Sequence, residues 1–106
     1  MEYKYYFTQK AAKDFEDILN YISVELNNLT AAKELYSEIF KNIEELTRFP
    51  DMGRLVENEY LTDKSVRRII VNNYTVFYKV FDNESKIYIL RIVYSKRNLN
   101  EIIPSI

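Results

Sequence analysis

Residues 66–98 read VRRIIVNNYTVFYKVFDNESKIYILRIVYSKRN, and this stretch decides the fold. β-Branched and aromatic residues fill three runs, which are separated by Asn72-Asn73 and by the tetrapeptide 82–85, DNES. Apolar runs of this kind, bounded by short polar segments with turn chemistry, are typical of strands joined by tight turns. The pattern therefore predicts a three-stranded antiparallel meander.

Positive charge follows the meander from end to end. Cationic side chains stand at its start, in its middle and at its exit: Arg67, Arg68, Lys79, Arg91, Lys96 and Arg97. Strand alternation decides which of them share a face. Arg91 lies inside the last strand, where both faces carry large apolar residues, so it needs either an ion-pair partner or a ligand.

Two helical patterns precede the meander. After a short Tyr-rich strand at residues 2–7, Thr8 is a predicted N-cap, and the apolar stripe Phe15, Ile18, Leu19, Ile22, Leu26 predicts a helix that ends near residues 27–28. A second stripe, from Ala32 through Tyr36 to Leu46, predicts a helix capped by Thr30 and ended by Pro50. A connection this short makes the two helices an antiparallel hairpin.

The only large apolar surface left for the hairpin to cover is the sheet. The sequence thus predicts an α+β fold, with an N-terminal strand, an antiparallel helical hairpin and the meander, and with the helices packed on one face of a twisted sheet. We expect residues 1–106 to form one domain. Residues 55–64 are expected to form a loop. The tail from Leu99 to Ile106 is expected to cover a sheet edge as a short helix or strand, or to meet a partner.

Composition narrows the chemistry. The chain has no Cys and no His, which excludes thiolate catalysis and the usual zinc and iron ligands, so no metal or other cofactor is expected. The first half, residues 1–53, holds six Lys/Arg and ten Asp/Glu, whereas residues 54–106 hold nine and six. This excess favours an anionic or acidic partner for the second half, although ordinary surface variation explains it equally well. No stretch is long and apolar enough for a membrane span or a signal peptide, so we expect a cytoplasmic protein without membrane contact.

Four segments together resemble the RelE/ParE superfamily of toxins from type II toxin–antitoxin modules. They are AAKDFEDILNYI (11–22), AAKELYSEIFKNIEELTRFPDMGR (31–54), RRIIVNNYTVFYKV (67–80) and ILRIVYSKRN (89–98). Each segment alone is mostly a hydrophobic pattern, and the resemblance rests on their order and spacing across nearly the whole chain.

The resemblance implies a growth-inhibiting toxin, of the kind found in plasmid-stabilisation modules, that a cognate antitoxin silences. It implies helices on one sheet face and a concave, cation-lined groove on the other. Antitoxins of this superfamily wrap the toxin with a helix and an extended segment, which requires an apolar groove and an open sheet edge. Ile102 and Ile103 in the apolar tail are the candidate antitoxin contacts.

Mechanism divides the superfamily into messenger RNA endonucleases that act on the ribosome and proteins that poison DNA gyrase. Carried over from the nucleases, Arg68 matches a cationic position of the first meander strand and Arg97 matches the arginine after the last one. Thr75 stands where the nucleases carry an arginine, Ile103 stands near a C-terminal tyrosine of some members, and Tyr94 lies near a histidine of others. The nuclease set is therefore incomplete.

An incomplete nuclease set and a sequence pI of about 5.5 favour a ParE-like, non-enzymatic gyrase poison. The alternatives are a RelE-like endonuclease, with Tyr94 as acid and Glu57 or Glu59 as base, and an interaction module without toxicity. The candidate catalytic residues are Arg68, Arg97 and Tyr94. The candidate target-binding residues are Arg67, Lys79, Arg91 and Lys96.

Overall fold

The computed structural model describes residues 2–106. Its elements are, in chain order, β1 (Lys4–Phe7), α1 (Gln9–Asn20), α2 (Leu29–Arg48), β2 (Arg54–Leu55), β3 (Arg67–Val71), β4 (Tyr74–Phe81), β5 (Lys86–Tyr94) and α3 (Leu99–Ile102). A π-helical turn, Tyr21–Glu25, extends α1, and short 3₁₀ turns lie at Asp82–Glu84 and Ile103–Ser105.

The strands form one five-stranded sheet in the order β1-β5-β4-β3-β2. β3, β4 and β5 are the predicted antiparallel meander, and β1 pairs in parallel with β5. β2 was not expected: Arg54 and Leu55 pair antiparallel with β3, so the segment read as a loop begins with a short edge strand. The predicted α+β fold is confirmed, with this one strand added.

One of the two predicted helix caps is confirmed and the other is wrong. The Thr8 hydroxyl accepts a hydrogen bond from the Ala11 amide, as predicted for the start of α1. The cap of α2 is Asn28 rather than Thr30, because the Asn28 side chain accepts a bond from the Ala31 amide at 3.0 Å. Asn27 has a φ of 48°, a left-handed conformation that ends the first helix where the sequence predicted.

The predicted apolar stripe of the first helix breaks at its last residue. Phe15 and Ile22 are buried, but Leu26 is 55% exposed. The π-helical turn at Tyr21–Glu25 explains the difference, since its wider winding turns the following residues away from the earlier stripe. Leu26 therefore adds to an exposed apolar surface at the tip of the hairpin.

Both helices pack on the face of the sheet that carries Tyr78, Ile87 and Ile89. The buried residues on this side, here called the helix-side core, are Ala11, Phe15, Ile22, Ala32, Leu35, Ile39, Ile43, Leu46, Val71, Val76, Tyr78, Ile87, Ile89 and Ile92. The predicted placement of the hairpin on one face of the sheet is confirmed.

A β-bulge keeps this core apolar. Phe77 pairs with Arg91 but the next residue, Tyr78, pairs with Ile89, so β5 carries one extra residue at this point. With strict alternation, Arg91 would follow Ile89 onto the helix side. The extra residue brings Ile92 there instead.

The opposite face of the sheet is not the open hollow that the resemblance implied. A second core of Val56, Leu61, Val66, Phe77, Val93, Ile102 and Ile103 covers it. Segment 56–66 and the C-terminal tail supply most of these side chains. The tail is helical, which was one of the expected alternatives, and Ile102 and Ile103 are 1% and 4% exposed. Both are therefore core residues in this structure, and their role as antitoxin contacts stays a prediction.

Candidate functional site

A cleft of about 510 Å³ opens beside the β2–β3 edge of the sheet. Arg54, Leu55, Val56, Glu57, Arg67, Arg68 and Leu99 line it. Three of these residues are apolar, Leu55, Val56 and Leu99, and the other four are charged. It is the part of the predicted cationic groove that the tail and segment 56–66 leave open.

Two arginines stand directly opposite each other at this cleft. Arg54 of β2 pairs in register with Arg68 of β3, and Arg68 pairs with Phe77 of β4. Directly paired residues of an antiparallel ladder point to the same face, so both guanidinium groups lie on the side of the second core, away from the helices. Within residues 2–106, neither side chain makes an ion pair or a side-chain hydrogen bond.

This arrangement is costly for the free protein. Like charges directly opposite in a ladder are destabilising by up to roughly 1 kcal/mol, and neither guanidinium forms an ion pair within residues 2–106 that would offset the repulsion. The pair instead offers ten N–H donors, five from each guanidinium, to an anionic group. Two unneutralised arginines at the rim of a cleft form a ready receptor for a carboxylate or a phosphate.

Arg67, the neighbour of Arg68, is used differently. Its Nη1 donates to the Gly53 carbonyl at 2.7 Å and to the Asp51 carbonyl at 3.3 Å, and its Nε lies 3.6 Å from the Asp51 carboxylate. These contacts hold the turn that leads into β2. Arg67 lines the cleft, but its donors are largely occupied by the protein itself.

Lys79 is paired as well. Its ammonium donates to Asp63 at 2.7 Å and lies 4.9 Å from the centre of the Phe81 ring. The hydrogen bonds from Lys79 and from the hydroxyl and amide of Ser65 lower the pKa of Asp63 to about 2. The pair fixes segment 56–66 to β4 and keeps this cation away from the Arg54–Arg68 pair.

Arg91 has the partner that its position in β5 required. Its Nε and Nη2 donate to the two oxygens of Asp14 at 2.6 and 2.9 Å, and its Nη1 donates to the Ser105 hydroxyl. The bond to Asp14 raises the pKa of Arg91. Asp14 also accepts the Ile92 amide at 3.0 Å. These contacts join α1, the bulge and the C-terminal tail, and they match the ion-pair alternative rather than a ligand contact.

Of the remaining predicted site residues, Tyr94 lies apart from Arg68. Tyr94 ends β5 opposite Tyr74, with the ring centres 5.8 Å apart. Arg68 lies opposite Phe77, three residues further along β4 and on the other face. Lys96 and Arg97 are exposed in the turn after β5, where the Arg97 amide bonds the Tyr94 carbonyl. The structure thus brings Arg68 together with Glu57, but not with Tyr94.

Arg54 is the site residue that sequence reasoning missed. It stands between Pro50, which ends the second helix, and the predicted loop 55–64, and its local pattern resembles that of a solvated cation. The available signal was the arginine's place directly after Met52-Gly53, next to a stretch that could pair with the first meander strand.

A second surface lies at the tip of the helical hairpin. A groove of about 560 Å³ runs between α1 and α2, lined by Leu19, Asn20, Ser23, Leu29, Ala32, Lys33, Tyr36 and Ser37. Large apolar side chains at or near its rim are more than half exposed: Tyr21, Val24, Leu26, Leu29 and Tyr36. Exposed apolar side chains grouped in this way make the groove a candidate protein-binding site.

Two further observations concern metal ligands and membrane spans. No group of three or more Asp or Glu side chains within residues 2–106 is placed to hold a metal ion. No helix in the same part of the chain is long and apolar enough to cross a bilayer.

Solved structures of toxins share this fold. The chain resembles a protein of the chromosomal ParDE system of P. aeruginosa, with a TM-score of 0.70 and 22% identity over 90% of this chain and 98% of that one. It also resembles a component of the Mycobacterium tuberculosis RelBE2 complex, with a TM-score of 0.60 and 21% identity over 89% and 99%. A mutant of E. coli RelE in the free state matches with a TM-score of 0.65 and 15% identity over 99% and 94%.

The family is decided at the level of sequence. No curated protein sequence matches the chain. The profile described as the ParE toxin of the type II toxin–antitoxin system parDE matches residues 5–99, which is most of the chain. The protein is therefore a member of the ParE toxin family of type II toxin–antitoxin systems, within the wider RelE/ParE superfamily.

Proposed function

We propose that this toxin acts by binding DNA gyrase through the cleft that carries the Arg54–Arg68 pair. The observation that supports a binding role over RNA cleavage is the dispersal of the nuclease candidates. Tyr94 lies at the other end of the meander and on the other face from Arg68. Thr75, at the position of a nuclease arginine, is buried and hydrogen-bonded to Ser95 at 2.9 Å.

A cleft with two free arginines suits an acidic protein surface. Complementary charge steers the encounter of two proteins and aligns them, while Leu55, Val56 and Leu99 supply apolar area that is buried on binding. DNA gyrase and the ribosome are both cytoplasmic, so either target places the toxin in the cytoplasm.

Supercoiling by purified gyrase tests this proposal. We expect inhibition at micromolar toxin and its loss in the double variant Arg54→Ala/Arg68→Ala. The matched control, Lys4→Ala/Lys41→Ala, removes the same charge from exposed positions elsewhere and should inhibit normally. Folded wild-type protein that leaves supercoiling unchanged would refute gyrase as the target.

A ribosome-dependent endonuclease is the second candidate, and one observation favours it. Glu57 lines the same cleft as Arg54 and Arg68, so a base and two cations that could stabilise a phosphorane already stand together. Mapping of messenger 5′ ends after induction without antitoxin separates the candidates. New ends inside translated regions, lost in Glu57→Gln, would support cleavage.

We further propose that a cognate antitoxin lays an amphipathic helix in the groove at the hairpin tip. The groove has a mostly apolar lining and lies between the two helices, on the opposite side of the sheet from the arginine cleft. The proteins of the ParDE and RelBE2 systems with similar folds were solved as parts of toxin–antitoxin systems, which supports this partner.

Leu29→Glu tests the groove. Leu29 is exposed and is the first residue of α2, where a carboxylate interacts favourably with the helix dipole, so folding should be preserved. We expect co-purification with the protein encoded by the adjacent reading frame to be lost. Tyr60→Glu, at a similarly exposed aromatic on segment 56–66, is the control and should co-purify normally. Retention of the partner by Leu29→Glu would exclude the groove.

A further inference from the structure

One buried hydroxyl lies beneath the turn that precedes β2. Tyr78 is fully buried in the helix-side core, yet its hydroxyl has two polar partners outside that core. It accepts the Gly53 amide at 2.9 Å and donates to the Pro50 carbonyl at 2.8 Å. A buried hydroxyl bonded on both sides fixes its partners, because breaking either bond leaves a polar group unsatisfied.

The turn is shaped to fit this hydroxyl. A Cβ added to Gly53 would lie 2.5 Å from the Tyr78 oxygen and 2.7 Å from the Arg68 carbonyl. Any side chain at this position would therefore push the turn away from β4 and from β3. The requirement for glycine here comes from close approach, since Gly53 has no positive φ.

Arg67 holds the same turn at the Asp51 and Gly53 carbonyls. The turn is thus fixed by a hydroxyl from β4 and a guanidinium from β3. Burial raises the pKa of Tyr78, which keeps the hydroxyl protonated and able to donate near neutral pH.

The residue that follows this turn needs such support. Arg54 faces Arg68 across a ladder of only two residue pairs, where like charges repel. One further backbone bond, from the Val56 amide to the Val66 carbonyl at 2.9 Å, continues the attachment. The pairing of a two-residue edge strand with repelling side chains is only weakly stable by itself.

We infer that Tyr78 is a positioning residue, whose hydroxyl acts through the Pro50–Gly53 turn to hold Arg54 opposite Arg68 and so assembles the anion-binding pair. The role of that pair in target binding rests on the proposed function, but the positioning of Arg54 does not. The hydroxyl never contacts the bound anion, since Tyr78 points to the helix side and the two arginines point to the other.

Tyr78→Phe removes only the oxygen. Its matched control is Tyr74→Phe, on the same strand and the same side of the sheet, where the hydroxyl makes no hydrogen bond within residues 2–106. The probe of the arginine pair is inorganic pyrophosphate at low salt, measured by calorimetry. We expect Tyr78→Phe to weaken pyrophosphate binding about tenfold, the effect of one buried hydrogen bond, and Tyr74→Phe to leave it unchanged.

A double-mutant cycle distinguishes positioning from general weakening of the fold. If Tyr78 acts through Arg54, Tyr78→Phe should have no further effect on pyrophosphate binding in an Arg54→Ala background. Hydrogen exchange of the Val56 amide, measured by NMR, should accelerate about tenfold in Tyr78→Phe while the Val76 amide in the sheet interior stays protected.

Three outcomes would overturn the inference. They are unchanged pyrophosphate binding in Tyr78→Phe, an equal further loss in the Arg54→Ala background, or unchanged exchange at Val56. Gly53→Ala displaces the turn from the same hydroxyl and should reproduce the loss, which keeps the test decisive if Tyr78→Phe folds poorly. Pyrophosphate binding and exchange that behave as expected, with gyrase unaffected, would refute the target and leave the positioning role intact.

Discussion

Arg91 and Arg68 belong to the same sheet, and the protein treats them in opposite ways. Arg91 is 13% exposed, shares two hydrogen bonds with Asp14 and a third with Ser105, and lies beside a bulge that keeps it out of the helix-side core. Arg68 faces a second arginine and has no carboxylate partner in the part of the chain that the structure describes. One cation is neutralised where it stands, and the other is left unneutralised at a cleft.

The difference separates cations that maintain the fold from cations available to a partner. Arg67 and Lys79 belong with Arg91, since Asp51 and Asp63 or backbone carbonyls occupy their donors. A count of positive residues along the meander does not make this distinction. The candidate site is identified by the positive charges of Arg54 and Arg68, which form no ion pair among the described residues, rather than by the total charge.

The largest expected effect is at Arg91. Arg91→Ala leaves the Asp14 carboxylate, which is only 16% exposed, without its counter-ion, and breaking such a pair costs about 3 kcal/mol of unfolding free energy. Urea denaturation at pH 7 measures this loss of unfolding free energy. Lys13→Ala, which breaks the exposed pair with Asp17, is the control and should leave the unfolding free energy nearly unchanged. A loss below about 1 kcal/mol at Arg91 would remove the contrast with Arg68.

The ion pair of Asp63 and Lys79 should contribute an intermediate amount to the unfolding free energy, and this contribution should depend on pH. The folded pKa of Asp63 is about 2, below its reference value of 3.8, so the pair stabilises the fold fully above pH 4. That contribution is lost as the pH falls from 4 to 2. Both side chains are about a third exposed, which limits it to about 1 kcal/mol. The difference in unfolding free energy between Asp63→Asn and wild type should shrink as the pH falls from 4 to 2. A difference that stays constant over this range would argue against the pair.

The smallest effect on stability is expected at Arg54. Arg54→Ala removes repulsion and breaks no hydrogen bond, so the unfolding free energy should stay the same or rise by a few tenths of a kcal/mol. Growth inhibition on induction should nevertheless be lost. A large destabilisation would mean that Arg54 is structural, like Arg91, and would exclude the cleft as a binding site.

The fold was largely predictable, because its main signals are local. The period of two in residues 67–94 and the period near 3.6 in α1 and α2 are set by which face of each element is buried. β2 and the second core were not predictable in the same way. Val56, Leu61, Ile102 and Ile103 are scattered apolar residues in polar segments, and only the folded chain brings them onto Phe77.

The candidate site was predicted in part. Arg68 was identified and lies at the cleft, while the roles of Arg97, Lys96 and Tyr94 in a target site stay predictions. The partners of Arg67, Lys79 and Arg91 are 12 or more positions away in sequence, so no local pattern indicates that these cations are paired. Arg54 belongs to the site only because β2 pairs with β3. A strand of two residues leaves no recognisable pattern in the sequence.

The parallel pairing of β1 with β5 has a consequence for biosynthesis. Among the described strands, β1 pairs with β5 alone, and β5 lies at residues 86–94. Contacts this distant along the chain form late, after the loop between them has closed. A growing polypeptide therefore holds an unpaired β1, and a helical hairpin without its sheet, until residues 86–94 have been synthesised.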